Sequence, residues 1–115
     1  MSAEAIDLAT FRELEATTGV EFVRELVATF KAEAPRMLAD LRQSLVDGDA
    51  ERFRRTAHSL KSNSNTFGAT ALGAMARKLE LEGLDSVRAS GSAPLDALAF
   101  EYTRVAQALT ELHRE

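Results

Sequence analysis

The chain has no cysteine and no tryptophan, and only two prolines and six glycines among its 115 residues. Without cysteine there is no disulfide framework, no thiolate metal site and no thiol nucleophile. No apolar run approaches the ~18 residues that span a bilayer. No basic start followed by an apolar stretch and a small-residue cleavage site marks an export signal. A Gly-rich phosphate loop ending in Lys-Ser or Lys-Thr is missing, and so is a kinase-type glycine loop. Positive charge is in deficit: 14 Lys and Arg against 18 Asp and Glu leave a net charge of −4, which disfavours a general nucleic-acid binder. The expectation is one cytoplasmic domain over residues 1–115, with a core, since 45% of residues are hydrophobic.

Ala, Leu, Glu and Arg dominate, and strand-like alternation is hard to find. Breaks at Thr18-Gly19, Asp47-Gly48-Asp49, Phe67-Gly68 and Gly91-Ser92 cut the chain into five helical segments. The first runs from about Asp7 to Ala16, with Leu8, Phe11 and Leu14 at helical spacing. The second, about Val20 to Val46, carries the stripe Val23, Val27, Phe30, Ala34, Met37, Leu38, Leu41, Leu45; Pro35 inside it is expected to kink or divide it. Asp49 is placed to N-cap the third. The fourth turns Leu72, Met75 or Ala76, Leu79 and Leu81 inward, and Gly83 either ends or weakens it. The fifth opens with Pro94 and carries Leu95, Leu98, Tyr102, Val105, Leu109 and Leu112. Four long amphipathic segments with short connections predict an all-α antiparallel four-helix bundle, with the short first helix capping one end.

The third segment carries the chemistry. At ~100° per residue, Glu51, Arg54, Arg55, Lys61, Ser62 and Asn65 fall within about 60° of His58, while Phe53, Thr56, Ala57, Leu60, Ser64 and Phe67 face the other way. His58 therefore points to solvent from the middle of a bundle helix. A lone histidine on a polar helix face is most often an ordinary surface residue. Here Lys61 lies one turn on, Arg54 and Arg55 one turn before, and Ser62 to Thr66 is a run of five poor helix formers. A local rule broken in mid-helix marks either a functional site or close helix packing.

The pattern His58-Ser59-Leu60-Lys61-Ser62, then Gly68, Leu72 and Leu79-Glu80 resembles the motif of histidine-containing phosphotransfer (HPt) domains. Every spacing agrees, with one departure: Ser62 stands where the family has glycine. Upstream, Phe30, Ala34-Pro35, Leu41 and Gly48-Asp49 look like the family's second helix and turn. The likeness covers Phe22 to Glu80 by motif and the whole chain by helix layout.

The resemblance implies a phosphoryl carrier of two-component phosphorelays, with no ATP site and no turnover of its own. His58 would take the group through Nε2 from the aspartyl phosphate of one response-regulator receiver domain and pass it to another. Lys61 would compensate the phosphate charge and Glu80 would orient the imidazole. Imidazole suits the task, since at its ordinary pKa of ~6.5 it is about three-quarters neutral at pH 7. Arg54, Arg55, Ser62, Asn65 and Arg77, with Lys78 beside it, would meet the partner, giving its acidic site a positive rim. Arg77 also reads as a plain solvated arginine. Gly68, Leu72 and Leu79 would be structural. Ser62 leaves three readings open: tighter access to His58, a hydrogen bond to the phosphoryl group, or a stabilising change without functional effect.

No cofactor is implied, because Mg²⁺ would come with the receiver. Metal binding is disfavoured further: neither histidine has a Glu three residues before it, and His58 with Glu80 offers two ligands where a site needs three or more. His113 reads as solvent-facing. Glu51 and Asp49 beside Arg52, Arg54 and Arg55, with no interleaved aromatics, speak against nucleic acid. The expected partners are receiver domains and a hybrid histidine kinase, with the chain a monomer. A rival reading is a docking module that binds receivers without relaying phosphate. Another is a module cut from a hybrid or chemotaxis-type histidine kinase, against which Met1 and the short leader before Asp7 favour a freestanding protein.

Overall fold

The structure, a computed structural model, describes residues 5–112; His113 lies outside the described residues. Five helices, and no strand among the described residues, make up the chain: α1 (Leu8–Thr18), α2 (Val20–Asp47), α3 (Ala50–Thr66), α4 (Thr70–Ala89) and α5 (Ala93–Leu112). The apolar stripes form one core. Val23, Val27, Phe30, Ala34 and Leu41 enter it from α2, Phe53, Ala57 and Leu60 from α3, Leu72, Ala76 and Leu79 from α4, and Leu95, Leu98, Val105 and Leu109 from α5. Met37, Leu38, Leu45, Met75, Tyr102 and Leu112 pack partly buried against it.

Asp49 caps α3 as expected, its carboxylate accepting the Arg52 amide at 3.1 Å. Pro35 does not divide α2, which is helical throughout Val20–Asp47. The ring removes the amide that would bond the Lys31 carbonyl, and the Tyr102 hydroxyl on α5 supplies that carbonyl with a donor instead. Gly83 takes φ +84° and ψ 168°, so α4 breaks there and restarts, with Leu84 and Val87 carrying the core stripe onward. Leu81 departs from expectation and is exposed, as is Leu8. Leu81 lies ~200° around the helix from the buried Leu79, which turns it to solvent. Pro94 occupies the second residue of α5 rather than the first.

Gly68 fixes the lower end of the molecule. Its φ of +83° suits glycine, and a Cβ there would lie 2.8 Å from the Asp7 carbonyl oxygen. A hydrogen bond joins the same two residues: the Asp7 amide donates to the Gly68 carbonyl at 2.7 Å, anchoring the start of α1 on the α3–α4 turn.

α3 and α4 pack along each other and each buries small residues, Ala57 and Ser64 on α3, Gly73 and Ala76 on α4. The Asn65 amide lies over Gly73, in space a Cβ would fill. Seven residues back on α3 and seven onward on α4, His58 meets Glu80. These two contacts show the helices running in opposite directions, two turns or about 10 Å separating the pairs.

Candidate functional site

The site begins with the stagger of α3. Phe53, Ala57 and Leu60 are buried, so His58, one residue on from Ala57, leaves the core with its side chain 53% exposed. Leu72 and Leu79 anchor α4 in the core on the opposite side, and Glu80, next to Leu79, emerges beside the imidazole. The fully buried Leu72 and nearly buried Leu79 hold the helix, and Gly68 sets the turn that feeds it.

His58 Nδ1 lies 2.9 Å from Glu80 Oε2. The other carboxylate oxygen, Oε1, lies 3.3 Å from the Lys61 ammonium. One carboxylate, its side chain 16% exposed, thus joins α4 to two residues of α3. Burial alone would raise the Glu80 pKa, but the hydrogen bonds from His58 and Lys61, with their charges, outweigh it and hold the carboxyl below its ordinary value. An ionised carboxylate only accepts, so the proton of a neutral imidazole sits on Nδ1. That leaves the Nε2 lone pair on the exposed edge of the ring. The arrangement can present a nucleophilic nitrogen to an incoming electrophile while a fixed carboxylate supports the charge that develops on the ring.

The residues expected around the site divide into three groups. His58, Glu80 and Lys61 are brought into direct contact. Arg54 lies one turn before His58, within electrostatic reach of Glu80, but its guanidinium is held by Glu51 at 2.7 Å. Ser62 is exposed on the same face as His58, and so is Asn65, whose amide also lies against α4 at Gly73. Arg55 is exposed on the side of α3 that faces α2, and Arg77 is exposed one turn before Glu80. Among the described residues, no group of three or more His, Asp or Glu is placed to hold a metal ion.

Three features were not apparent from the sequence. The ion pair of Lys61 with Glu80 needs the α3–α4 register, which no spacing within one helix reveals. Gly73 carried one usable signal, a glycine inside a helix, where its cost of roughly 1 kcal/mol calls for a reason. Arg36 of α2 lines a cleft with Arg55 and Ser59 of α3 and could have been found as a cation on the polar face of that helix.

The family model for the Hpt domain matches residues 25–115. Among curated proteins, none matches the chain. Among solved structures, the crystal structure of histidine-containing phosphotransfer protein B from Pseudomonas aeruginosa is similar, with a TM-score of 0.83 and 26% sequence identity over 98% of this chain and 97% of that one.

Proposed function

Because the chain belongs to the Hpt domain family, we propose that it is the phosphoryl carrier of a two-component phosphorelay, with His58 as the accepting residue. One observation carries the reading: Glu80 holds His58 at Nδ1, 2.9 Å away, and leaves Nε2 free on the exposed edge of the ring. The whole chain then acts as one cytoplasmic domain. In it, α2 to α5 form an antiparallel four-helix bundle, with α1 closing one end.

The phosphoryl donor is the aspartyl phosphate of a response-regulator receiver domain. His58 Nε2 attacks phosphorus in line, the N–P bond forms, and the P–O bond to the aspartyl carboxylate breaks, that carboxylate leaving with the electron pair. The ring proton stays on Nδ1, donated to Glu80, which stabilises the positive charge the ring gains. Phosphoryl transfer passes through a loose transition state, so placement and charge compensation supply most of the acceleration. Lys61, already beside the ring, turns its ammonium toward the phosphoryl oxygens. Mg²⁺ belongs to the receiver, and the chain needs no cofactor of its own. The reverse reaction delivers the group to a second receiver.

The test is phosphotransfer profiling with purified, phosphorylated receiver domains and radiolabelled phosphate. Acid-labile, base-stable label on the chain is expected, and none on His58→Gln. Label persisting on that variant would move the site elsewhere. A receiver that binds tightly without any transfer would show a docking module instead.

A further inference from the structure

A cleft of about 460 Å³ lies between α2 and α3. It borders the His58 face of α3 through Arg55, one turn before His58 and ~60° around the helix from it, with Ser59 further round. Four more charged residues line it: Glu33, Arg36 and Asp40 from α2 and Arg52 from α3. Arg52 lies 2.7 Å from Asp40 and 3.6 Å from Asp47, so it is occupied, and it ties the two helices together across the cleft. The cleft is therefore preformed rather than dependent on a ligand to shape it. Among the lining residues, Arg36, Arg52 and Arg55 stand against Glu33 and Asp40, one positive charge in excess at the wall itself, while Asp47, outside the lining, lies against Arg52. Arg36 and Arg55 are both exposed, and among the described residues neither makes a hydrogen bond or ion pair. Arg54, by contrast, is engaged by Glu51.

Two guanidiniums without a hydrogen bond or ion pair, Arg55 feeling Glu51 only through its charge, line a preformed cleft and suit a carboxylate. The planar fork of arginine binds carboxylate oxygens in pairs, and it sheds water more readily than an ammonium. We infer that the α2–α3 cleft, through Arg36 and Arg55, receives an acidic side chain from the surface of the receiver domain that exchanges phosphoryl groups with His58, and so helps decide which receivers are accepted. This rests on the proposed phosphoryl transfer and extends the docking face from α3 onto α2. A charge pair at the rim of an interface acts mainly on encounter and register, so the inference concerns recognition rather than the chemical step.

The experiment measures transfer from the fastest phosphorylated receiver of the panel to the intact chain, its Arg36→Glu and Arg55→Glu variants, and Arg24→Glu as a charge control. Arg24 sits twelve residues before Arg36, ~18 Å along the same helix. Each cleft variant is expected to raise KM about fivefold to tenfold with kcat within about twofold, and to flatten the dependence of KM on salt. Arg24→Glu leaves both constants as they were. A carboxylate-to-lysine change on the receiver surface that restores KM for Arg36→Glu alone identifies the occupant. Circular dichroism checks that each variant folds. Normal transfer by both cleft variants overturns the inference while leaving His58 as the acceptor. No transfer to the intact chain from any receiver overturns the function itself. Equal losses from all three variants would mean a nonspecific charge effect and also overturn the cleft.

Discussion

The phenol of Tyr102 donates a 3.3 Å hydrogen bond to the backbone carbonyl of Lys31. That carbonyl would ordinarily receive the amide of residue 35, which is proline and has none to give. Tyr102 is half-buried on α5, and burial pushes its phenol pKa up, in keeping with a hydroxyl that stays protonated and donates. Tyr102→Phe is expected to lower stability by about 1 kcal/mol in urea titrations, the usual net value of one such bond. In a Pro35→Ala background the amide returns, and the same change is expected to cost measurably less. Equal costs in the two backgrounds would separate Tyr102 from the proline.

A second prediction concerns Glu80 and acid. Its carboxyl is held below the ordinary value by His58 and Lys61 against the opposing effect of burial. A depressed pKa in the folded state means that the unfolded chain binds more protons as pH falls. The stabilisation from Glu80 is thus complete above the ordinary carboxyl range near 4.5 and is lost as pH drops through the lower folded value. Glu80→Gln is expected to be less stable than the parent at pH 6–7, with the gap closing at acid pH. Chemical denaturation across that range measures it, and a constant gap would refute it. The same variant weakens the hold on Nδ1 and is expected to slow phosphoryl uptake by roughly tenfold, the lower end of losses on removing an orienting partner of a functional histidine.

Lys61 now carries two jobs. At rest its ammonium lies 3.3 Å from Glu80, and in the proposed transfer it turns to the phosphoryl oxygens. Lys61→Ala is expected to slow uptake by about tenfold to a hundredfold, as fits one lost charge-assisted hydrogen bond of ~1.5–3 kcal/mol. It should also leave the His58–Glu80 contact in place. The ¹⁵N shifts of the imidazole report on that contact and are expected to keep the Nδ1–H tautomer, so a slow variant with an altered tautomer would assign Lys61 to positioning.

Gly68 tests the architecture that delivers Glu80 to His58. Its positive φ and the 2.8 Å approach of the Asp7 carbonyl leave no room for a Cβ. Gly68→Ala is expected to lose about 1–3 kcal/mol, read as a fall in Tm, since backbone strain and steric displacement act together. A neutral result would mean that α1 shifts freely at the turn.

Much of this was legible in the sequence because the signals are local. Asp49 announces a helix start, and the α2 stripe from Val23 to Leu41 reads off its own buried face. His58, Gly68, Leu72 and Glu80 share a spacing long enough to be informative by itself. What escaped depends on partners distant in the chain. The survival of α2 through Pro35 needs Tyr102, far along the sequence, and the engagement of Lys61 by Glu80 needs the α3–α4 register. Leu81 was misplaced for a local reason: hydrophobicity alone drew it inward, while its position around α4 faces solvent.

Ser62 separates stability from chemistry. It is exposed on α3, one turn beyond His58, and helical backbone surrounds it on both sides. Glycine there would cost roughly 0.5 kcal/mol relative to serine through helix propensity. Ser62→Gly is therefore expected to lower stability by about that amount in urea, with the m-value unchanged. The His58 side chain is already 53% exposed, so removing one hydroxymethyl group is expected to change the uptake rate by less than about threefold, under 0.7 kcal/mol of barrier. A rate rising tenfold or more would show that Ser62 restricts the approach of the receiver. A comparable fall would show that its hydroxyl bonds the phosphoryl group in the transition state.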